Sequence, residues 1–440
     1  MTVIELPAKG DAKGPVASKG SLVAALDIGS TKISCLIGEA VSQNRRTADG
    51  KEASALRVLG FGCQAARGTR NGAIVDLDQA ERAIRLAVDA AEKMAKRTIT
   101  SVFVNVAGGR PQSNSYAGAV QTGTGQVTAQ DIEAATRAAL AQGHQPGRRT
   151  LHTAAAQFHL DAARGITSPL GMFGTTLTAE VNVVSAEPAA LRNLALVIER
   201  CHLSVADYVV APYAAARSVL AGDEIKLGVT LIDMGGATTG IASFHDDQLV
   251  FADVIAIGGM HITHDIARGL STTIAHAERL KTLFGSAMAT AIDDRETVAV
   301  PLLGERGVDT IYHAPKSMLT GIIRPRLEEI LEMVRERLDQ ASFARLTGSR
   351  VVLTGGGSEL TGVREIAAQW LNRQVRLGAP LPVAGMPEAA RSPAFATAFG
   401  LLNYALKPDI RHSAAVARQA MKEAQAGYFR RVGKWIADSF

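Results

Sequence analysis

The sequence predicts an α/β fold with a duplicated core, and three glycine turns carry that prediction. Residues 22–39 read LVAALDIGSTKISCLIGE: an apolar run, Asp27, the polar turn Gly29-Ser30-Thr31-Lys32, and an apolar return. Residues 228–244 read GVTLIDMGGATTGIASF and repeat the plan, with Asp233 followed by Gly235, Gly236, Ala237, Thr238 and Thr239. The stretch VVLTGGGSEL from Val351 then sets Gly355, Gly356, Gly357 and Ser358 after an apolar strand. Glycine lets the main chain approach a ligand, and N–H groups exposed in such turns form an anion-binding nest. A carboxylate beside a phosphate nest is the usual holder of a water-wrapped Mg²⁺, which makes Asp27 and Asp233 the metal candidates.

The elements follow in order. Residues 1–20 lack periodicity and are expected to be a disordered extension. After the first hairpin, Ser42 to Ala55 reads as a polar loop and Leu56 to Gly62 as a returning strand. Asp78 to Lys96 carries Ala80, Ala83, Ile84, Ala87, Val88, Ala91 and Met94 at helical spacing, and Ser101 to Val106 is a buried strand. From Gly109 to Thr178 Gly, Gln and Thr become frequent around a helix at Ala129 to Ala141, so this stretch reads as an inserted subdomain. Glu180 to Ser185 is expected to resume the core, followed by helices from Ala189 and Pro212. Beyond the second hairpin, helices are expected over His261 to Leu270, Thr273 to Phe284, Arg326 to Asp339, Leu360 to Leu371 and Pro393 to Leu406. A second small subdomain is expected between 271 and 321.

Bulk properties narrow the class. A chain of 440 residues with 47% hydrophobic residues and 42 glycines suits several α/β domains. No run of 18 apolar residues occurs, so no spanning helix is expected, and the N-terminus lacks the apolar segment of a signal peptide. Cys35, Cys63 and Cys201 show no metal or redox spacing, which fits a reducing compartment. The net charge of +5 is concentrated: residues 410–440 hold six cations against two acids, a local charge of +4. The body therefore gives no sign of nucleic-acid binding.

The paired Asp-Gly-Thr turns with a late VLTGGG resemble the actin, Hsp70 and sugar-kinase superfamily. There, two such hairpins grip the phosphates of ATP from opposite domains and the third turn meets the adenosine. The inserted subdomain, the motif QFHLD…GITSPLGM, the stretch AERLK and the basic C-terminal helix make the chain similar to the FtsA family of actin-like bacterial division proteins, over about residues 22–406 and the last 14. That resemblance implies a ribonuclease-H-like duplicated core with two domains around a nucleotide cleft. Subdomain 1A would open at 21–108, the 1C-type insert would span 109–179, and 180–225 would lead the core into 2A. Subdomain 2A would take 226–270 and 322–406, with 2B at 271–321, a linker at 407–426 and an amphipathic membrane helix at 427–440.

Further implications concern ligands and partners. ATP and Mg²⁺ are the implied cofactors, with no dedicated catalytic residue and at most slow ATP hydrolysis. The implied partners are the division tubulin FtsZ, other division proteins, further copies of the chain, and anionic lipid on the cytoplasmic face of the inner membrane at the division site. The resemblance also adds Gly258 and Gly259 as nucleotide contacts and Glu278 and Lys281 as residues that embrace the adenosine. At i, i+3 the alternative reading of those two is a solvated ion pair. FtsZ is expected near 271–330, with Arg324, Arg326 and Glu328 as candidates. Ala237 stands where a third glycine is frequent and Gly240 where related hydrolases carry an acid, implying a differently shaped turn and weaker hydrolysis. His261 and His264 lack a third metal ligand. Glu187 reads either as a water-orienting acid or as a helix N-terminal acid. The rival reading is a sugar-kinase-like phosphotransferase, which needs a catalytic Asp facing a sugar cleft.

The last 14 residues, GYFRRVGKWIADSF, have their own physics. On a helical projection Tyr428, Phe429, Val432, Trp435, Ile436 and Phe440 share an arc of roughly 140°, opposite Arg430, Arg431 and Lys434. Such a helix is about 21 Å long, too short for a hydrocarbon core of about 30 Å, so it is expected to lie in the interface. Each cation near anionic lipid is worth about 1 kcal/mol, so one tail binds reversibly and a polymer binds firmly through effective concentration.

Overall fold

The computed structural model describes residues 20–46, 52–143, 145–166, 168–303, 311–341 and 347–406. The expected N-terminal extension, the linker 407–426 and the helix 427–440 lie outside the described residues.

Two sheets repeat one plan. The first runs in the order 204–210, 101–106, 22–28, 32–46, 52–65. The second runs 374–377, 350–354, 229–234, 239–245, 248–255. In each, the hairpin strands pair antiparallel and the opening strand pairs parallel with a later strand on its other side. The register also repeats. Ile28 faces Ile33 in one hairpin and Met234 faces Thr239 in the other, so four residues separate the last cross-paired residues of each hairpin. Two copies of one turn therefore end up in equivalent places, one per half.

Two helices fill the space between the sheets. Ala211–Val219 packs on the second sheet and Ala396–Leu406 on the first, and they pack on each other. Ala396–Leu406 is buried on almost every face, as its largely apolar sequence requires. Leu77–Ala95 covers the outside of the first sheet with Ala80, Ala83, Ile84, Ala87, Val88 and Ala91. Asp76 caps it by accepting the Gln79 N–H.

Several expectations need correction. The hairpin strands extend to Arg46 and from Glu52, so most of the expected loop at 42–55 is strand, with Ser42 opposite Ser54. Glu180 to Ser185 does not form a strand of the first sheet, although Val184 packs in the main core. It lies within the strand Thr176–Ala186, the middle of the insert's own layer, paired on one side with Gln112–Gln121 and on the other with Arg149–Leu160. The helix expected from Arg326 begins at Lys316 and carries Pro325 inside it.

The insert is rooted in the first half and leans on the second. Its chain leaves after Ser101–Val106 and returns to Pro188–Arg200 and Ser204–Val210. Its sheet joins that of the second half where Asp253 faces Gln112. The Ala252 N–H donates to Ser113 Oγ at 2.9 Å and Asn182 Nδ2 to the Leu249 carbonyl at 3.2 Å. The insert helix Ala129–Gln142 starts with a capping box between Thr128 and Asp131.

Candidate functional site

The two four-residue turns meet across a cavity of about 390 Å³. Each is closed by the same bond: Gly29 N–H to the Lys32 carbonyl at 3.0 Å, and Gly235 N–H to the Thr238 carbonyl at 2.9 Å. Ala237 takes no positive φ, so its methyl adds no backbone strain to the second turn. The turns touch. A side chain at Gly236 would place its Cβ 2.4 Å from Thr31 Cγ2.

The cavity gathers most of the expected residues: Asp27, Gly29, Ser30, Thr31, Lys32, Asp233, Gly235, Gly236, Thr238, Gly259, Glu278, Lys281, Gly355, Gly356 and Gly357. Three do not line it. Thr239 is buried and donates to the Ile257 carbonyl at 2.8 Å. Ser358 is buried and donates to the Gly355 carbonyl at 2.7 Å. Gly258 is pressed against the second turn, where its Cβ would stand 2.5 Å from the Gly235 carbonyl oxygen. Those positions shape the loops rather than face the cavity.

Two of the carboxylates that line this space are buried beside the turns. Asp27 is buried and its carboxyl is pushed up to about 6 by burial, with Lys32 pulling it down and the charge of Asp233 raising it. The Asp233 carboxyl is also raised by burial, against a hydrogen bond from Thr397 and the charge of Lys32. Two desolvated acids that repel each other, with one lysine beside them, form a charge-deficient site that a hydrated divalent cation fits. Lys32 donates to the Ala394 carbonyl, and its ammonium lies 4.8 Å from the Phe395 ring centroid.

Glu278 and Lys281 form an ion pair in which Glu278 is half-exposed, so the pair is partly solvated while it also lines the cavity. Lys281 Nζ bonds Glu278 Oε2 at 2.7 Å, Thr263 Oγ1 at 2.8 Å and the Gly259 carbonyl at 3.1 Å, and the two side chains form one wall of the cavity. Arg326 is committed within the chain, to Asp265 at 2.5 and 3.2 Å and to Glu329 at 2.5 Å. Arg324 and Glu328 pair with each other at 2.8 Å. None of these three lines the cavity. Glu187 faces Arg110 at 3.7 Å, outside the cavity, at the start of Pro188–Arg200. Among the described residues no cluster of three metal-ligating side chains forms, so His261 and His264 stay without a third ligand.

Sequence reasoning missed Asn105, Ala394 and Thr397. Asn105 Oδ1 accepts the Ile28 N–H at 2.8 Å and so fixes the strand end that carries Asp27. Ala394 and Thr397 lie far along the chain and reach the cavity only because the last helix returns between the sheets. An Asn ending a buried strand was the one visible signal.

Comparison with known proteins agrees with this architecture. Residues 230–400 match the family model for cell division protein FtsA, and residues 108–185 match that of the SHS2 domain inserted in FtsA. A cell division protein FtsA from Rhizobium meliloti (strain 1021) is 44% identical over 427 residues, covering 97% of each chain. One from Pseudomonas aeruginosa is 34% identical over 96% of this chain and 99% of its own, and one from Escherichia coli K12 is 30% identical with the same coverage. Among solved structures, a PilM-PilN type IV pilus biogenesis complex aligns with TM-score 0.59 at 18% identity over 88% of this chain and 99% of that one. MreB 5 of Spiroplasma citri bound to AMPPNP aligns with TM-score 0.50 at 12% identity over 92% and 98%. The fold is thus the two-domain actin-like one with an SHS2 insert, and the chain belongs to the FtsA family of cell division proteins.

Proposed function

We propose that the cavity binds ATP with Mg²⁺, and that the protein assembles with further copies of itself to hold FtsZ and other division proteins at the cytoplasmic face of the inner membrane. One observation supports this most: three glycine turns and two carboxylates from separate halves converge on a single cavity. The turn N–H groups and Lys32 suit the phosphates, and the wall formed by Glu278 and Lys281 suits the nucleoside. Asp27 and Asp233 would hold Mg²⁺ through water, and the ion would supply positive charge to the phosphates. Nucleotide bound between two halves acts as an assembly ligand by favouring one relative arrangement of them.

Rapid hydrolysis has little support. A Cβ at Gly240 would stand 2.9 Å from Pro212, so the acid frequent there in related hydrolases has no room. Family membership along nearly the whole chain sets the sugar-kinase reading aside.

Membrane attachment rests on the sequence of residues 427–440. No helix among the described residues is long and apolar enough to cross a membrane. Full-length protein is expected to sediment with anionic vesicles, and protein lacking 427–440 to stay in solution. Equal sedimentation of the two would overturn the anchor. Absence of ATP binding by calorimetry would overturn the cavity assignment.

Protonation gives another test. Burial holds the Asp27 carboxyl up near 6, so it is ionised above that pH and neutral below. Protons then compete with the cation, and affinity for Mg²⁺-ATP is expected to be level above pH 7 and to fall by up to about tenfold per unit below pH 6. Asp27→Asn is expected to remove this step, which separates it from titration of the phosphates themselves. A parent protein and an Asn variant with the same pH profile would exclude Asp27.

A further inference from the structure

Residues 392–397 form one short stretch that touches all three glycine turns. The Ala394 carbonyl accepts from Lys32 of the first turn. Thr397 Oγ1 donates to Asp233 Oδ2, beside the second, at 3.0 Å. The Pro393 carbonyl accepts the Gly355 N–H of the third at 3.2 Å, and Ser392 Oγ donates to Glu359 at 2.9 Å. From this arrangement we infer that Thr397 is a positioning residue for the metal side of the site, fixing the orientation of the Asp233 carboxylate. The inference rests on the proposed ATP and Mg²⁺ reading.

The geometry leaves Asp233 little freedom. The terminal torsion of an aspartate is soft, so its two oxygens must be placed by their surroundings. Oδ1 lies against the main chain of Gly355, where a Cβ would stand 2.3 Å away. Oδ2 takes the Thr397 hydroxyl proton. A carboxylate wedged on one side and bonded on the other has one orientation. Thr397 can hold it because it is itself buried, in the first turn of a helix locked between the sheets. Hydrogen bonds to a charged acceptor are the stronger class, and a buried oxygen that loses its donor is costly. Valine keeps the shape of threonine and removes only the donor, while serine keeps the donor and removes a methyl.

The test titrates full-length protein with a fluorescent ATP analogue, from EDTA through rising Mg²⁺, for the parent, Thr397→Val and Thr397→Ser. Thr397→Val is expected to shift the Mg²⁺ midpoint upward by about tenfold, a larger change than it makes to binding in EDTA. Thr397→Ser is expected to restore the parent midpoint. In an Asp233→Asn background, Thr397→Val is expected to add no further shift, because the residue acts only through that carboxylate. A parent midpoint in Thr397→Val, a serine variant as impaired as valine, or an additive shift in the double variant would each overturn the assignment. If the parent itself shows no Mg²⁺-dependent binding, the proposed function fails and takes the inference with it. If the parent binds normally and the variants match it, only the inference fails.

Discussion

Gly400→Ala is expected to destabilise the protein by on the order of 4 kcal/mol or more, the range reached only when a core cannot accommodate the change. Gly400 lies mid-helix in Ala396–Leu406, where glycine is ordinarily a poor choice. Its value is proximity: an added Cβ would fall 1.6 Å from the Ala214 carbonyl oxygen and 2.3 Å from the Ala214 carbonyl carbon. Those atoms belong to the neighbouring helix backbone and cannot rotate away. One methyl must therefore push apart two helices that fill the space between the sheets, and every contact along them loosens together. Urea unfolding of the soluble fraction checks this. A midpoint equal to the parent's would show that the helices can separate without loss.

The second large effect concerns the third glycine turn, whose three glycines are not equivalent. Gly355 has φ 81 and ψ 164, a region essentially reserved for glycine. A Cβ there would also stand 2.3 Å from Asp233 Oδ1 and 2.6 Å from the Met234 carbonyl oxygen. Gly355→Ala is expected to lower ATP affinity by about 100-fold or more, because backbone strain and a displaced carboxylate act on the same site. Gly356→Ala serves as the comparison. Its Cβ would meet only Ala394 Cβ at 3.6 Å, an ordinary contact, so affinity is expected to stay close to the parent's. Calorimetric titration of both variants decides. Equal losses would mean that the turn needs flexibility throughout rather than one strained residue.

The hairpins were legible in the sequence because each concentrates its information in about seventeen consecutive residues: apolar run, acid, glycine turn, apolar return. The third turn was legible for the same reason. Thr397, Ala394 and Asn105 were not, because their roles depend on long-range return of the chain rather than local pattern. Glu180 to Ser185 misled for a different reason. Its apolar residues look alike whether the strand lies in the core or in the middle of an inserted sheet. The helix expected from Arg326 starts earlier, at Lys316, because buried Leu319, Ile323, Leu327 and Ile330 along one face carry it through Pro325, a residue that ordinarily interrupts a helix.

The insert is covalently tied to one lobe and stitched to the other through Gln112, Ser113 and Asn182. Any widening between the lobes must either tilt it or tear its stitching.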